Sequence, residues 1–396
     1  MQPLKLTIGG NYWDSYLYQG RLFLFQTDGS LKIINWDKFV EGYLIDENLR
    51  LAFECGFRRS DYLYGSKWKL LFKDTEIKDC LIGKFRKLSL LELELEERKL
   101  DEYCFTRKEN PLPFPHSDVT VYRKTLYSTS REGIFKGLID KRRKSIFTDP
   151  PVKMWDCPSL SVSASYMTLA ISAGSEGLYE TKLIGQWEEE EEGDTSEEPS
   201  AISNEHCSSC EWTYHSIFGS SHKSGGFLAD FSKEKDGTDW RKHTRKFEGI
   251  FPSSQIFGQN SRYSWGSNDK LCQAHAGAVS IVKYSPWDNE GIARFQDMGT
   301  ITLAPWKGEV VSGGTALFGT IIECDNALIV VPSQGDPITI PGEPVNWRVF
   351  PRSKHYENHL HIIYDDHIDI LSFNQDYFVD QKVKRSGTRY YEKHQF

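Results

Sequence analysis

The sequence predicts an all-β protein, a β-propeller of four-stranded blades, with seven blades favoured and eight as the alternative. Three observations predict it: apolar hairpins recur along the chain, their spacing is nearly even, and the aromatic content is high. The chain holds 23 Phe, 19 Tyr and 11 Trp in 396 residues. Propeller blades of four strands repeat about every 40–50 residues.

The first hairpin shows the pattern on which this prediction rests. Residues 21–26 form a largely apolar run, residues 27–30 contain Asp28-Gly29, and residues 31–36 are again largely apolar. An Asp-Gly turn between alternating apolar runs is a strong hairpin signal. Seven similar hairpins follow, over residues 70–82, 124–139, 167–183, 216–231, 263–272, 317–331 and 360–371.

The turns of the eight hairpins end at residues 30, 76, 133, 177, 226, 270, 327 and 367, a mean spacing of about 48 residues. Further strand-like segments lie between them, for example residues 337–340 and 345–350, and two such strands per period would complete a blade. The hairpin at 216–231 has the weakest pattern, and leaving it out gives seven blades. A pair of β-sandwich domains is the alternative architecture, because sandwiches also alternate strands with turns.

Four Trp-Asp dipeptides occur, at residues 13–14, 36–37, 155–156 and 287–288. Composition alone would give roughly one, and the dipeptide is a signature of one propeller repeat. In this dipeptide and in its period the chain resembles the WD40-like β-propellers. Only Trp36-Asp37 directly closes the second strand of a hairpin, and the usual Gly-His partner is missing. The resemblance therefore implies the architecture over nearly the whole chain and specifies no particular family.

Two segments interrupt the repeat. Residues 188–198 hold eight acidic residues in eleven positions, and like charges repel and stay solvated. Residues 88–100 alternate Leu with Glu, which fits an exposed strand, but Leu88, Leu91 and Leu95 also fit a helix stripe. We therefore expect one propeller domain over 1–381, an acidic mobile insertion at 187–205, and a polar C-terminal tail over 382–396.

Charge and composition exclude several classes of protein. The chain has 48 Lys and Arg against 56 Asp and Glu, a net charge of −8, which argues against a protein that coats duplex DNA. The aromatic load argues against disorder. No stretch of 18 apolar residues occurs, and residues 1–7 lack the apolar core of a signal peptide. Eight dilute cysteines are read as reduced thiols, so we expect a cytoplasmic protein without membrane contact.

The candidate chemistry is sparse. Cys207 and Cys210, with His215 and His222 downstream, are spaced poorly for zinc, so two strand or loop thiols are the favoured interpretation. His359 and His361 share one face of a predicted strand, near His355 and the turn residues Asp365, Asp366 and His367, and a rim cluster without metal is favoured. Hydrolase, P-loop and zinc-protease motifs are missing from the sequence. We expect no catalytic group, metal or cofactor.

The function predicted is a non-catalytic scaffold or adaptor subunit that binds other proteins within a macromolecular complex. Its alternatives are a propeller hydrolase with carboxylates in the central channel and an accessory subunit that contacts nucleic acid through basic loops. An acidic run would attract a basic partner, and two basic clusters could contact phosphates. The candidate partner-binding residues are Glu188, Glu189, Glu190, Glu191, Glu192, Lys141, Arg142, Arg143, Lys144, Trp240, Arg241, Lys242, Arg245 and Lys246.

Overall fold

The structure is a computed structural model that describes residues 2–58, 74–140, 145–183, 198–235, 243–258, 263–275, 277–286, 293–302, 309–332, 336–353 and 355–373. The described strands form seven sheets, each with four antiparallel strands in the order of a propeller blade. The predicted fold class is confirmed: the chain is all-β, with seven four-stranded blades. Apolar side chains of the second and third strands of each blade supply much of the core.

The first six blades each take consecutive strands from the chain, apart from an insertion in blade 1. Blade 1 holds β2 (Tyr12–Tyr18), β3 (Arg21–Gln26), β4 (Ser30–Asn35) and β6 (Cys104–Glu109). Blade 2 holds β7 (His116–Tyr122), β8 (Thr125–Ser130), β9 (Gly133–Leu138) and β10 (Val152–Trp155). Blade 3 holds β11 (Ser161–Ser165), β12 (Thr168–Ser172), β13 (Leu178–Lys182) and β14 (Ser200–Ser203).

The remaining blades follow the same order. Blade 4 holds β15 (Ser209–Thr213), β16 (Ser216–Ser220), β17 (Phe227–Lys235) and β18 (His243–Pro252), after which the short helix α5 spans Ser253–Phe257. Blade 5 holds β19 (Tyr263–Ser267), β20 (Lys270–His275), β21 (Ala278–Tyr284) and β22 (Phe295–Thr302). Blade 6 holds β23 (Val310–Ala316), β24 (Gly319–Cys324), β25 (Ala327–Pro332) and β26 (Ile338–Pro341).

Blade 7 joins the two ends of the described chain. Three of its strands are β27 (Asn346–Val349), β28 (His359–Ile363) and β29 (His367–Ser372), and the fourth is β1 (Leu4–Gly9). The register runs from Leu4 opposite Ser372 to Gly9 opposite His367. A fifth strand, β5 (Leu93–Leu95), pairs in parallel with β1. Blade 7 therefore depends on residues from both ends of the described sequence.

The interruption of blade 1 is a helical insert, defined as residues 36–103. It contains α1 (Trp36–Gly42), α2 (Glu47–Phe57), α3 (Thr75–Leu88), β5, α4 (Glu97–Leu100) and a 3₁₀ turn (Asp101–Tyr103). Asp46 caps α2 and Asp74 caps α3, each accepting from backbone N–H groups of the first turn. Buried side chains at Leu81, Phe85 and Leu88 give α3 one apolar face.

The insert shares one hydrophobic core with blades 7 and 1. Phe39, Phe53 and Phe85 of the insert pack in the same cluster as Leu6 of β1 and Ile370 of β29. Burial of large apolar side chains is the dominant stabilising term in such contacts. The insert is thus part of the folded core rather than a loop resting on its surface.

The structure corrects two details of the predicted hairpins. Residues 77–82, predicted as a strand, belong to α3, because an Asp74 cap and apolar residues spaced by three and four favour a helix. The hairpin at 216–231, left out to reach seven blades, is real and forms β16 and β17. Residues 88–100, for which a strand and a helix were both predicted alternatives, contain the end of α3, the strand β5 and the helix α4.

The predicted mobile insertion at 187–205 is too long at its C-terminal end. Residues 184–197 lie outside the described part of the chain, but Ser200–Ser203 form β14, which pairs with β13. In the sequence, the acidic run therefore falls between the third and fourth strands of blade 3. The tail predicted over 382–396 also lies outside the described residues.

The chain divides into two compact units. One comprises Met1–Asn110, Arg142–Ile146 and Gly314–Phe396, and the other comprises Pro111–Lys141 and Phe147–Gly313. The first unit contains the helical insert with blades 1 and 7, and the second contains blades 2 to 5. The single domain expected over 1–381 stays a prediction.

Candidate protein-binding surface

Most of the predicted contact residues lie outside the described part of the chain. These are Glu188, Glu189, Glu190, Glu191, Glu192, Lys141, Arg142, Arg143, Lys144, Trp240, Arg241 and Lys242. Only Arg245 and Lys246 of the predicted set belong to the described residues, on β18 of blade 4. They are neighbours in sequence with different surroundings.

Arg245 is an interior residue, so its prediction as a contact residue is wrong. Its Nε donates to the carbonyl oxygen of His215 at 2.7 Å, and its Nη1 donates to Glu180 Oε2 at 2.6 Å. The guanidinium carbon lies 3.8 Å from the centroid of the Phe231 ring and 4.6 Å from that of Trp212. Only 11 % of the side chain is exposed.

These surroundings explain why a cation is stable inside blade 4. Burial lowers the pKa of the Arg245 guanidinium, and the Glu180 carboxylate opposes that shift. The two aromatic faces and the carboxylate replace the water that the cation loses. Since Glu180 belongs to β13, Arg245 ties blade 3 to blade 4 and is not available to a partner.

Lys246 points to the opposite side of β18 and is exposed. Its Nζ lies 3.9 Å from Glu248 Oε1, a loose surface pair. β17 and β18 are paired as far as Lys235 and His243, beyond the last pairing of β17 with β16 at Ala229. Lys246 therefore stays a candidate contact residue, on a two-stranded extension of blade 4.

The helical insert presents a surface that the sequence reading missed. Leu44 is 93 % exposed and Leu90 is 74 % exposed, and Leu51 and Leu91 are also exposed. The Lys84 ammonium donates to the carbonyl oxygen of Asn48, so the end of α3 lies beside the beginning of α2. We call Leu44, Leu51, Leu90 and Leu91, which lie at or near this end of the helix pair, the insert surface.

Large aliphatic side chains that are this exposed have no role in the core to which the insert contributes. Single exposed leucines are common on soluble proteins, but a group of them at one end of two helices is typical of an interaction site. The charged side chains of Arg50, Lys84 and Glu92 lie close by in the sequence and supply a polar surround. The surface has the composition expected of a protein-contact patch.

Carboxylates on the first strands of blades 1, 2 and 4 act as structural ties. Asp118 Oδ2 on β7 accepts from Ser161 Oγ and from the Val162 N–H of β11, both at 3.0 Å, while its Oδ1 accepts from the Val119 N–H at 2.8 Å. Glu211 on β15 accepts from Ser163 Oγ at 2.9 Å. These hydrogen bonds link blades 2, 3 and 4.

The same arrangement occurs in the other compact unit. Asp14 on β2 accepts from Nη2 of Arg348 on β27 at 2.7 Å, and it also accepts from the Ser15 N–H at 2.7 Å. Asp14, Asp118 and Glu211 therefore act as structural ties between blades.

Asp269 is a buried carboxyl of a different kind. Burial raises its pKa, while the charges of Lys270 and Lys283 lower it. It lies in the turn between β19 and β20, and its backbone oxygen accepts from the Tyr284 N–H at 2.8 Å. A buried turn residue of this kind has a local role in the hairpin.

The two metal-site candidates consist mainly of buried side chains, namely Cys207, Cys210, His215, His359 and His361. Burial raises the pKa of the Cys207 thiol to about 12 and that of Cys210 well above its usual value. Metal ligation needs the thiolate, which this environment disfavours. His359 and His361 are fully buried, so their prediction as a rim cluster is wrong. Among the described residues, no group of three or more His, Cys, Asp or Glu is arranged to hold a metal ion.

No helix within the described residues is long and apolar enough to cross a membrane. All eight cysteines lie in the described part of the chain, and none of them forms a disulfide there.

Comparison with solved structures bears on the fold. The β-propeller domain of Cps50 (Swd1) from Myceliophteria thermophila is 8 % identical, with 92 % of this chain and 96 % of that chain covered and a TM-score of 0.52. The WD40 domain of Neurospora crassa Pan2 is 9 % identical, with 92 % and 90 % covered and a TM-score of 0.45. A putative 6-phosphogluconolactonase from Bacteroides fragilis is 12 % identical, with 66 % and 79 % covered and a TM-score of 0.38.

The chain has the fold of a seven-bladed β-propeller. The first of these likenesses, together with the seven blades, shows the fold alone, because a shared fold does not transfer a function. No protein-family model matches the chain, and no curated protein matches it.

The Trp-Asp pairs take different places in this propeller. Trp36 directly follows the third strand of blade 1 and is fully buried, and its Nε1 donates to the carbonyl oxygen of Phe57 at 2.6 Å. Trp13-Asp14 lies within a first strand, and Trp155-Asp156 lies at the end of a fourth strand. Residues 287–288 are outside the described part. The pairs therefore do not mark equivalent positions of the blades.

Proposed function

We propose that the propeller is a non-catalytic protein-binding scaffold and that the insert surface is one of its partner contacts. The observation that carries this proposal is the exposure of Leu51 on α2 and of Leu44, Leu90 and Leu91 in the segments next to α2 and α3, helices whose other face packs in the core. A rigidly held apolar patch loses little conformational entropy on binding, which favours affinity.

The chemistry of the other sites supports the same proposal. Among the described residues, the first-strand carboxylates Asp14, Asp118 and Glu211 are engaged in ties between blades, which supports a structural role for them rather than acid–base catalysis. The partner suited to the insert surface is an apolar face of another protein, bordered by polar residues. Free thiols at all eight cysteines support a reducing compartment, and we propose the cytoplasm.

The acidic run Glu188 to Glu192 remains our proposed attractor for a basic partner. Its support is its charge and its position between β13 and β14 of blade 3. Attraction at a distance raises the association rate more than the final affinity. Lys246 remains a second candidate contact, because it is exposed on the extension of blade 4.

The experiment that tests the proposal compares two variants of exposed leucines, a double substitution and a single one. We expect a stoichiometric protein partner to co-purify from native cells with the wild type and to be lost with the double variant Leu44→Asp, Leu90→Asp. The matched control is Leu160→Asp, an exposed leucine in the other compact unit that should retain the partner. A new charge in the centre of an apolar contact costs several kcal/mol, about 2–4, of binding free energy.

Two results would contradict the proposed contact. One is that the double variant, folded as judged by circular dichroism, still recovers the partner in full amount. The other is that Leu160→Asp removes the partner equally, which would place the contact elsewhere.

A further inference from the structure

The C-terminal end of α2 is capped by side chains of blade 7. The carbonyl oxygen of Gly56, in the last turn of α2, accepts from Ser372 Oγ at 2.7 Å, His359 Nε2 at 3.1 Å and Asn358 Nδ2 at 3.3 Å. The last carbonyls of a helix lack partners within the helix, so such contacts satisfy them from outside. This cap joins the helical insert to the strand pair β28 and β29.

The hydrogen bond to Gly56 fixes the tautomer of His359. Because a carbonyl oxygen only accepts, Nε2 carries the proton and Nδ1 is the acceptor nitrogen. Within the described residues, His359 Nδ1 is buried and has no hydrogen-bond partner. A second proton on this ring would create a buried N–H without an acceptor, which is costly.

His361 lies two residues further along β28, on the same face, with its ring centroid 6.0 Å from that of His359. Its Nδ1 is 2.9 Å from Ser15 Oγ, and its Nε2 is buried without a partner among the described residues. Both rings are fully buried. His359 therefore contacts the insert directly, and His361 is buried beside it, next to Ser15 of blade 1.

Each element packed around the pair contributes an identifiable group. The insert supplies the Gly56 carbonyl and the Phe57 ring, β27 supplies Arg348, and β2 supplies Asp14. The rings of Phe350 and Tyr356 lie at 5.0 Å from His361 and 5.6 Å from His359. Arg348 is paired with Asp14, and the two charges act in opposite directions on the protonation of His361.

We propose that docking of the helical insert on blade 7 is a pH-sensitive contact, released when His359 and His361 take up protons. Two states are required: a docked state that excludes the protons and an opened state in which both rings meet water. A solvated histidine titrates near pH 6.5, so acidification favours the opened state. The inference does not depend on the proposed function of the insert surface.

The direction of the pH dependence follows from the pKa shifts of the two histidines. Burial lowers the pKa of His359 to about 4, and burial, His359 and Arg348 hold the pKa of His361 well below its usual range, against the effect of Asp14. The docked state is therefore fully stable above about pH 6.5 and loses stability as the pH falls toward 4. For His359 alone, the ratio of opened to docked molecules rises roughly thirtyfold between pH 7.5 and pH 5.

Hydrogen exchange of the full chain, read by mass spectrometry and corrected for intrinsic exchange, tests the inference. We expect the opened fraction of α2, as reported by its amides, to be at least roughly thirtyfold larger at pH 5 than at pH 7.5. The amides of β20, in the other compact unit, report opening of the rest of the molecule and should change less. His359→Gln keeps an N–H donor for Gly56 and cannot titrate. In this variant, the rise in α2 opening between pH 7.5 and pH 5 should be smaller by a factor of about thirty.

Three further variants make the result decisive. His361→Gln should also flatten the pH dependence of α2, and it serves if His359→Gln fails to fold. Ser372→Ala should raise opening of α2 at every pH without changing its pH dependence, because it weakens the cap alone. His215→Gln, a buried histidine of blade 4, should leave α2 unaffected.

The inference is wrong if α2 and β20 open in parallel at every pH, because the insert would then not open separately. It is also wrong if the folded His359 and His361 variants retain the full pH dependence of α2.

Discussion

At the scale of single residues, Arg245 and Lys246 show how far charge alone predicts a contact. Both belong to one basic cluster of the sequence, and the alternation of a strand sends their side chains to opposite sides. Arg245 meets Trp212 and Phe231, which are 33 and 14 residues earlier in the sequence. Nothing in the local sequence indicates those aromatic neighbours, so the interior role of Arg245 could not be predicted.

We expect Arg245→Lys to destabilise the protein by about 1–3 kcal/mol although it preserves the charge. Lysine cannot reproduce the bond to the His215 carbonyl, the pair with Glu180 and the stacking on two rings together. Unfolding in urea measures the change in the free energy of unfolding. Lys246→Ala is the control and should stay within about 0.5 kcal/mol of the wild type. Equal stability of the two variants would contradict the structural role of Arg245.

At the scale of elements, the carboxylate ties link the first strands of blades 1, 2 and 4 to a neighbouring blade. We expect Asp118→Ala to cost about 2–3 kcal/mol, because the Val119 and Val162 N–H groups and Ser161 Oγ lose their acceptor. Thermal unfolding followed by circular dichroism measures this. Asp156→Ala, an exposed residue whose partner is Lys153, should have little effect. A similar loss for both variants would argue against the tie.

The hairpins were predictable because their signals are local. An Asp-Gly turn with alternating flanks defines β3 and β4, and similar patterns define most of the other blade hairpins. The helical insert was not predictable from its apolar runs, since residues 77–82 read as a strand. The Asp74 cap and the spacing of Leu81, Phe85 and Leu88 were the available signals for a helix.

The insert surface could not be predicted from the sequence, for a different reason. Leu90 and Leu91 resemble Leu93 and Leu95 in sequence, yet the first two are exposed while the other two are buried beside β1. What separates them is the pairing of β5 with β1, two segments far apart in the chain. A long-range pairing of this kind leaves no mark in the local pattern.

At the scale of the whole molecule, buried neutral histidines set the response to acid. Burial, then Arg245 and Lys233, lower the pKa of His215 to about 4, and those of His359 and His361 are lowered as well. Each ring takes up a proton on unfolding when the pH is between its native value and about 6.5. Stability is therefore full above pH 6.5 and falls as the pH drops through this window.

We expect these three histidines together to contribute a slope of up to about 4 kcal/mol per pH unit near pH 5. Urea unfolding at several pH values between 4.5 and 7.5 measures the slope of the free energy of unfolding. His215→Gln should reduce it by about a third. A slope unchanged in that variant would show that His215 is not neutral in the folded protein.

The pairing of β1 in blade 7 has a consequence for synthesis on the ribosome. β1 ends at Gly9 and its antiparallel partner β29 begins at His367, so at about 5–20 residues per second roughly 20–70 s of translation separate them. During that interval β5, which is made at residues 93–95, is the earlier available neighbour of β1. Through this pairing the nascent insert can hold β1 in place and cover one of its edges, while the opposite edge stays open until β29 of the last blade emerges.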